Sequence, residues 1–447
     1  MVSRSSLIVL LALALTGCGT SHAVASHPSP PHRRLPAGHS AMPVRAGQRT
    51  RPPQPAGDIA LTALRRALRA ALSKAGPNAG VAVYDLTAHR TLFDARGGIA
   101  HPPASVEKLY TTAAVLRTLG PGTTLQTQVL GTGHLGRHGV WHGNLYFKGG
   151  GDPTLGDGAF NQSYELGFGP TGSQMAAQIA SHGIRRVTGR LFGDESLFDR
   201  KRGGLMTNYA PDIPDFGGEL SALTYDHGST IGTPNQPAAF AARQLAAAMR
   251  TAHIAVRASK RTAVTPVDAQ PLATVSSPPM QVLLRLMDVP SDDFFAELLT
   301  MQLGVRFGDG VGSIAAGAQV ILDTIAADYG IHPRILDGSG LSRNDRSSPD
   351  QVATLLRELW RTPTGDIVYA SLPVVGRSGT VQSIALKTAA VGRCSAKTGT
   401  LTDVTNLAGY CHSRGEHALA FAVFIDGPPN YIALALEGQV VAAIARY

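Results

Sequence analysis

The sequence predicts an α/β (α+β) chain: a mixed helix-and-strand domain interrupted by a long insertion. Three observations lead there. A helical apolar pattern over residues 59–72 is followed by two short strands and a second helix. The stretch from Arg393 onward is strand-rich and closes on an apolar helix. Between these ends, residues 121–283 change character, with short strand-like runs separated by Gly-rich turns and proline-broken segments.

At 447 residues, 43% of them hydrophobic, and a mean hydropathy of +0.02, the chain is long enough for two to three globular domains. The net charge of +9 is unevenly placed. Residues 1–57 carry six arginines and no acid, leaving +3 for the rest. A folded part this close to balance argues against nucleic-acid binding.

The N-terminus reads as a targeting segment, 1–17. Arg4 is its one charge, and the apolar run 7–15 is too short to span a bilayer, which takes roughly 20 residues. Leu15-Thr16-Gly17-Cys18 resembles the lipobox of bacterial lipoproteins, which implies cleavage before Cys18 and a lipid on it. The competing reading is cleavage after Ala23-Val24-Ala25. Both export the protein to the periplasm or cell envelope. Residues 18–57, rich in Pro, Ser and His, read as a disordered linker.

In chain order, the helix over 59–72 leads to strands at 80–85 and near Leu92-Phe93. Pro102 and Pro103 then precede a helix carrying Val106, Leu109, Ala113 and Leu116, with Gly120 as its stop. The insertion should hold strands at 125–130, 140–147 and 186–192, and helices near 174–181 and 238–251. Helical patterns return from Met280. Ser291-Asp292-Asp293 can cap one helix, a second covers 314–328, and Ser348-Pro349-Asp350 opens a third reaching Arg361. Strands at 393–398, 406–412 and 419–425 precede a final helix over 430–445. A hairpin turning at 400–405 would set Cys394 opposite Cys411, and an oxidising compartment permits a disulfide there. Two cysteines with one nearby histidine, His412, are too few for a zinc site. No metal or cofactor is expected.

Chemistry centres on Ala104-Ser105-Val106-Glu107-Lys108. Positions three apart on a helix share a face, so Lys108 can reach the Ser105 hydroxyl. A lysine kept neutral by its neighbours can take the serine proton. Such a pair is common by chance. Two further stretches give it weight: Ser342-Arg343-Asn344 in a Gly/Ser-rich loop, and Lys397-Thr398-Gly399-Thr400 on a strand. In order, they match the S-x-x-K, S-x-N and K-T-G set of serine acyltransferases that act on D-Ala-D-Ala peptides and β-lactams. Arg377-Ser378-Gly379-Thr380 looks like a rival third motif but reads as a turn.

Spacing narrows the resemblance. Ser105 and Ser342 are 237 residues apart, and Ser342 and Lys397 are 55 apart. With Gly150-Gly151-Asp152-Pro153-Thr154-Leu155 and Asp337-Gly338-Ser339-Gly340-Leu341, the chain resembles the class C low-molecular-mass penicillin-binding proteins, the D-alanyl-D-alanine carboxypeptidase/endopeptidase family. The resemblance implies a penicillin-binding/serine β-lactamase-like transpeptidase fold, an antiparallel sheet flanked by helices. This domain is split over 58–120 and 284–447 around the insertion 121–283. It implies metal-free hydrolysis of peptidoglycan stem peptides at D-Ala-D-Ala or at cross-links, with β-lactams as covalent inhibitors.

On this reading Ser105 is the nucleophile and Lys108 the base. Ser342 relays a proton and Asn344 orients Lys108 or substrate. Lys397 and Thr398 take the terminal carboxylate, Gly399 leaves room for substrate along the strand, and Thr400 offers a backbone N–H to the oxyanion. Two departures stand out: Asp293, where the family often has asparagine, and Glu107 inside the first motif. The rival classes are a β-lactamase-like hydrolase and a non-catalytic peptidoglycan-binding protein.

Overall fold

The computed structural model describes residues 58–211, 217–228, 236–308 and 310–447. The targeting segment, Cys18 and the linker lie outside the described residues. No helix among the described residues is long and apolar enough to cross a membrane.

The first elements are α1 (Asp58–Ala75), the hairpin β1 (Ala79–Asp85) and β2 (Arg90–Ala95), and α2 (Lys108–Thr118). Next come β3 (Gln126–Gly131), β4 (His134–Leu135), β5 (Val140–His142), β6 (Leu145–Lys148), α3 (Gly158–Tyr164), α4 (Gly172–Ser181) and β7 (Arg186–Asp194). They are followed by α5 (Pro237–Thr251), β8 (Ala255–Ala258) and β9 (Gln270–Ser276). The chain then runs through α6 (Met280–Asp288), α7 (Asp293–Phe307), α8 (Ile314–Tyr329), α9 (Pro349–Leu359) and α10 (Pro363–Ser371). It ends in β10 (Cys394–Leu401), β11 (Val404–His412), β12 (Ala418–Asp426) and α11 (Asn430–Arg446).

Strands from the two ends of the chain share one sheet, ordered β10-β11-β12-β1-β2, and every pairing in it is antiparallel. The period of two along β12 builds two cores at once. Ala418, Ala420, Ala422 and Phe424 face the helices α2 and α6–α10. Leu419, Phe421, Val423 and Ile425 face α1 and α11. Three layers result, with the sheet buried on both faces. Cys394 and Cys411 are register partners with Cα atoms 4.0 Å apart, and their sulfurs are bonded.

The middle of the chain forms a second, seven-stranded sheet around β4-β5-β7-β6-β3-β9, with β8 beside β7. It is mixed: β7 pairs in parallel with β5, β6 and β8, whereas β3 runs antiparallel to β6 and β9. Its own core includes Val129, Phe147, Leu191 and Leu245. Strands β8 and β9, with α3 and α10, have no counterpart in the sequence reading. They are short, and their apolar spacing is too brief to show a period.

Candidate active site

Ser105 sits in a single 3₁₀ turn, Ala104–Glu107, that runs into α2. Three elements hold this turn. Asn406 of β11 donates from Nδ2 to the carbonyls of Pro102 and Pro103, each at 2.9 Å. Gly340 lies so close that a Cβ there would stand 2.0 Å from the Ala104 oxygen. A Cβ on Gly399 of β10 would meet the Pro103 oxygen at 2.5 Å and the Val106 nitrogen at 3.0 Å. The missing side chain of Gly399 therefore makes room for the serine turn itself. Ala104 is left-handed, with φ 48°. Such conformations cost about 1–3 kcal/mol and concentrate at functional sites.

One helical turn on, Lys108 is fully buried. Its Nζ donates to Ser105 Oγ at 3.0 Å, to the Ser339 carbonyl at 2.7 Å and to the carboxylate of Asp293. The second lysine, Lys397 on the edge strand β10, is also fully buried and donates to Ser291 Oγ at 2.7 Å and to its neighbour's carbonyl, Thr398 O, at 3.0 Å. Burial, reinforced by the charge of Lys108, pushes the Lys397 ammonium down to about 7. Thr398 Oγ1 donates to Thr380 Oγ1 at 2.7 Å. The Arg377–Thr380 segment thus does form a turn, and it brings Thr380 to the rim of the site.

The side chains of the second motif make their contacts away from the two lysines. Ser342 is buried, but its N–H donates to Asp337 and its Oγ accepts from the Asn344 N–H. Asn344 is exposed, and Arg343 reaches the Thr402 carbonyl. Among the described residues, no hydrogen bond joins Ser342 or Asn344 to Ser105, Lys108 or Lys397. The loop contributes through its backbone, at Ser339 O. The side chains that stand between the two lysines are Ser291 and Asp293, at the start of α7.

The reason is local. Asp292 is the N-cap of α7, accepting from the Phe295 N–H at 2.9 Å, so Ser291 and Asp293 flank a fixed cap. Ser291 has φ 67°, a second left-handed non-glycine residue at the site. Behind it, burial pushes the Asp292 carboxyl up to about 6. His227 of the insertion packs on Phe294 with ring centroids 4.4 Å apart and meets Glu165 at 2.9 Å. Burial opposes charge on this imidazole, but the Glu165 hydrogen bond, the charges of Asp292 and Glu165 and the Gly217 carbonyl together outweigh it and raise His227. Sequence reasoning saw the cap but missed this chain of contacts.

Beneath the turn, Glu107, Asp337 and Asp345 bring carboxylate oxygens within 4.8 Å of one another, all buried. Burial raises all three, Asp345 to about 8; repulsion from neighbouring acids of the trio adds for Glu107 and Asp345, and repulsion from Asp293 adds for Asp337. Asp337 is already committed to the N–H groups of Gly340 and Ser342. At about 8, the Asp345 carboxyl keeps its proton at neutral pH and can donate a hydrogen bond.

With a half-buried serine, a lysine on it and a second lysine opposite, the arrangement can form and break an acyl ester. The family profile for D-Ala-D-Ala carboxypeptidase 3 (S13) matches residues 64–233 and 228–446. The chain belongs to this family. A D-alanyl-D-alanine carboxypeptidase from an Actinomadura species is 27% identical to this family member over 476 positions, covering 87% of this chain and 85% of that protein. Carboxypeptidase DacB of Mycolicibacterium smegmatis is 28% identical, covering 98% of this chain and 94% of that protein. The crystal structure of penicillin binding protein 4 from Haemophilus influenzae has a TM-score of 0.71 at 21% identity, covering 85% of this chain and 99% of that one. That likeness establishes the penicillin-binding fold read from the sequence. The Haemophilus protein has also been solved complexed with a β-lactam.

Proposed function

We propose that this S13-family enzyme is a serine D-alanyl-D-alanine carboxypeptidase of the cell envelope, acting through an acyl-enzyme on Ser105. The observation that carries the reading is the paired arrangement of Lys108 on Ser105 and Lys397 on Ser291, with both lysines buried.

Ser105 Oγ attacks the carbonyl of the penultimate D-Ala, and the Lys108 amine takes its proton. The amide C–N bond breaks, and the proton passes through the Ser291 hydroxyl to the departing amine of the terminal D-Ala. Water then attacks the ester, Lys108 takes a proton from it, and Ser105 recovers its hydrogen as the shortened peptide leaves. Asp293 accepts a hydrogen bond from Lys108 and holds the amine beside Ser105. Lys397 and Thr398 take the substrate's terminal carboxylate. The N–H groups of Ser105 and Thr400 receive the oxyanion, an effect of about 3–4 kcal/mol per donor. A β-lactam acylates Ser105 by opening its ring amide, so no fragment departs and the ester persists.

Fluorescent penicillin should label the protein and fail to label Ser105→Ala; labelling of that variant would place the nucleophile elsewhere. Incubation with cross-linked and uncross-linked muropeptides reads out the substrate. Loss of terminal D-Ala alone marks a carboxypeptidase, and resolved cross-links mark an endopeptidase as well. We also infer a lipid anchor at Cys18, tested by release of Cys18→Ser from the membrane fraction; unchanged retention would overturn it.

A further inference from the structure

The insertion carries a face that the acyl-transfer site does not use. Along β7 and β8, Val187, Leu191 and Val256 point into the insertion's core, so Arg186, Thr188, Arg190 and Arg257 point outward. The parallel register sets Arg190 against Arg257. Arg250, in the last turn of α5, and His253 complete a surface groove of about 660 Å³ with Arg186, Thr188 and Arg257. None of these arginine side chains forms an ion pair or hydrogen bond among the described residues, and no acid lines the groove.

Like charges set opposite each other on neighbouring strands are destabilising. Arg250 is accounted for by the helix dipole at a C-terminus. The strand arginines have no such account within the fold. Their planar forks match phosphate oxygens two at a time. No Trp, Tyr or Phe lines the groove to stack on a sugar ring, and no large apolar side chain projects from it to enter a bilayer. A groove lined by guanidinium groups without partners among the described residues, and by no acid, is charge-complementary to a polyanion that presents successive phosphates.

We propose that this groove docks a linear phosphodiester polymer of the cell envelope, holding the enzyme on the wall independently of its acyl-transfer site. The proposal does not rest on the carboxypeptidase reading. The test measures binding of the full chain to end-labelled poly(glycerol phosphate) across a salt series, for wild type and for the groove double variant Arg186→Gln/Arg257→Gln. A second double variant, Arg66→Gln/Arg69→Gln, removes the same charge from the exposed face of α1.

The groove variant should bind at least tenfold more weakly. Its slope of log affinity against log salt should fall by about 1–2, as expected for two lost phosphate contacts. The α1 variant should bind like wild type, and penicillin labelling should be equal in all three, which shows that the variants fold. Equal loss in both variants would mean net charge and no site, and wild-type binding by the groove variant would overturn the proposal. Phosphatidylglycerol vesicles and polymer-stripped peptidoglycan serve as further arms. If the groove variant loses binding to either of these while poly(glycerol phosphate) binding is unaffected, the partner is lipid or stem-peptide carboxylate and the proposal fails.

Discussion

Asp293 is the residue that most changes how the site must work. A neutral amide in its place would hydrogen-bond Lys108, whereas a carboxylate also holds that lysine's charge. Asp293→Asn keeps the hydrogen bond and withdraws the charge, whereas Asp293→Ala removes the contact that holds the Lys108 amine beside Ser105. Penicillin labelling should therefore be at least about tenfold slower in Asp293→Ala than in Asp293→Asn, because a small misplacement of a reacting group is costly in rate. Equal labelling rates in the two variants would mean that Asp293 does not position Lys108. The same residue shows where sequence legibility ended. Ser105 and Lys108 could be read because positions three apart on a helical turn share a face. Ser291 and Lys397 are 106 residues apart, and only the fold brings them to 2.7 Å. Ser342-Arg343-Asn344 had the better letters, Ser291-Asp292-Asp293 the better place. A serine immediately before a capped helix was the available signal.

Among the elements, the 3₁₀ turn of Ser105 depends on the strands beside it. It lies against β10 and β11 and has no side-chain cap of its own. The Cβ of Gly399→Ala would press on two backbone atoms, the Pro103 oxygen and the Val106 nitrogen, neither of which can swing aside as a side-chain end could. The turn must shift, and a misplacement of about 1 Å can cost 10²-fold in rate. Gly399→Ala should acylate with penicillin at least tenfold more slowly while its thermal transition stays cooperative. Wild-type acylation would show that the turn is not seated by this contact. Gly399 was legible as a residue that must lack a side chain, but the reason read from sequence was room for substrate. The observed reason comes from a long-range packing that strand periodicity does not reveal. The hairpin register, by contrast, could be read directly, because an antiparallel turn centred between Cys394 and Cys411 fixes which residues are opposite.

At the scale of the whole molecule, β1 pairs with β12, so Ala79 sits beside Ile425 and one sheet closes around everything between. The apolar run of β12 and the change of texture after residue 120 made this architecture visible in sequence. The ionisation of its interior was not visible, because burial is a property of the assembled layers. Asp152 is raised to about 7 and Asp345 to about 8, while Asp226, Asp288 and Asp292 reach about 6. Glu107, Glu297 and Glu437 are raised well above their ordinary value. A folded carboxyl with a raised pKa binds protons that the unfolded chain has released, so stability falls as pH climbs from the unfolded value, near 4, through the folded one. His227, raised, acts in the same direction. His101 and His412, lowered chiefly by burial, act oppositely below 6.5. Lys397, lowered to about 7, adds stability only as pH rises from there toward 10.5. The carboxyls dominate between pH 5 and 7, so Tm should decline across that interval. Glu437, buried in α11 with no hydrogen-bond partner among the described residues for either carboxylate oxygen, isolates the effect. Its pKa is raised by burial alone. In Glu437→Gln the Tm difference from wild type should become more favourable by about 2 °C or more between pH 5 and pH 8. A difference that is the same at both pH values would mean that Glu437 does not titrate against folding.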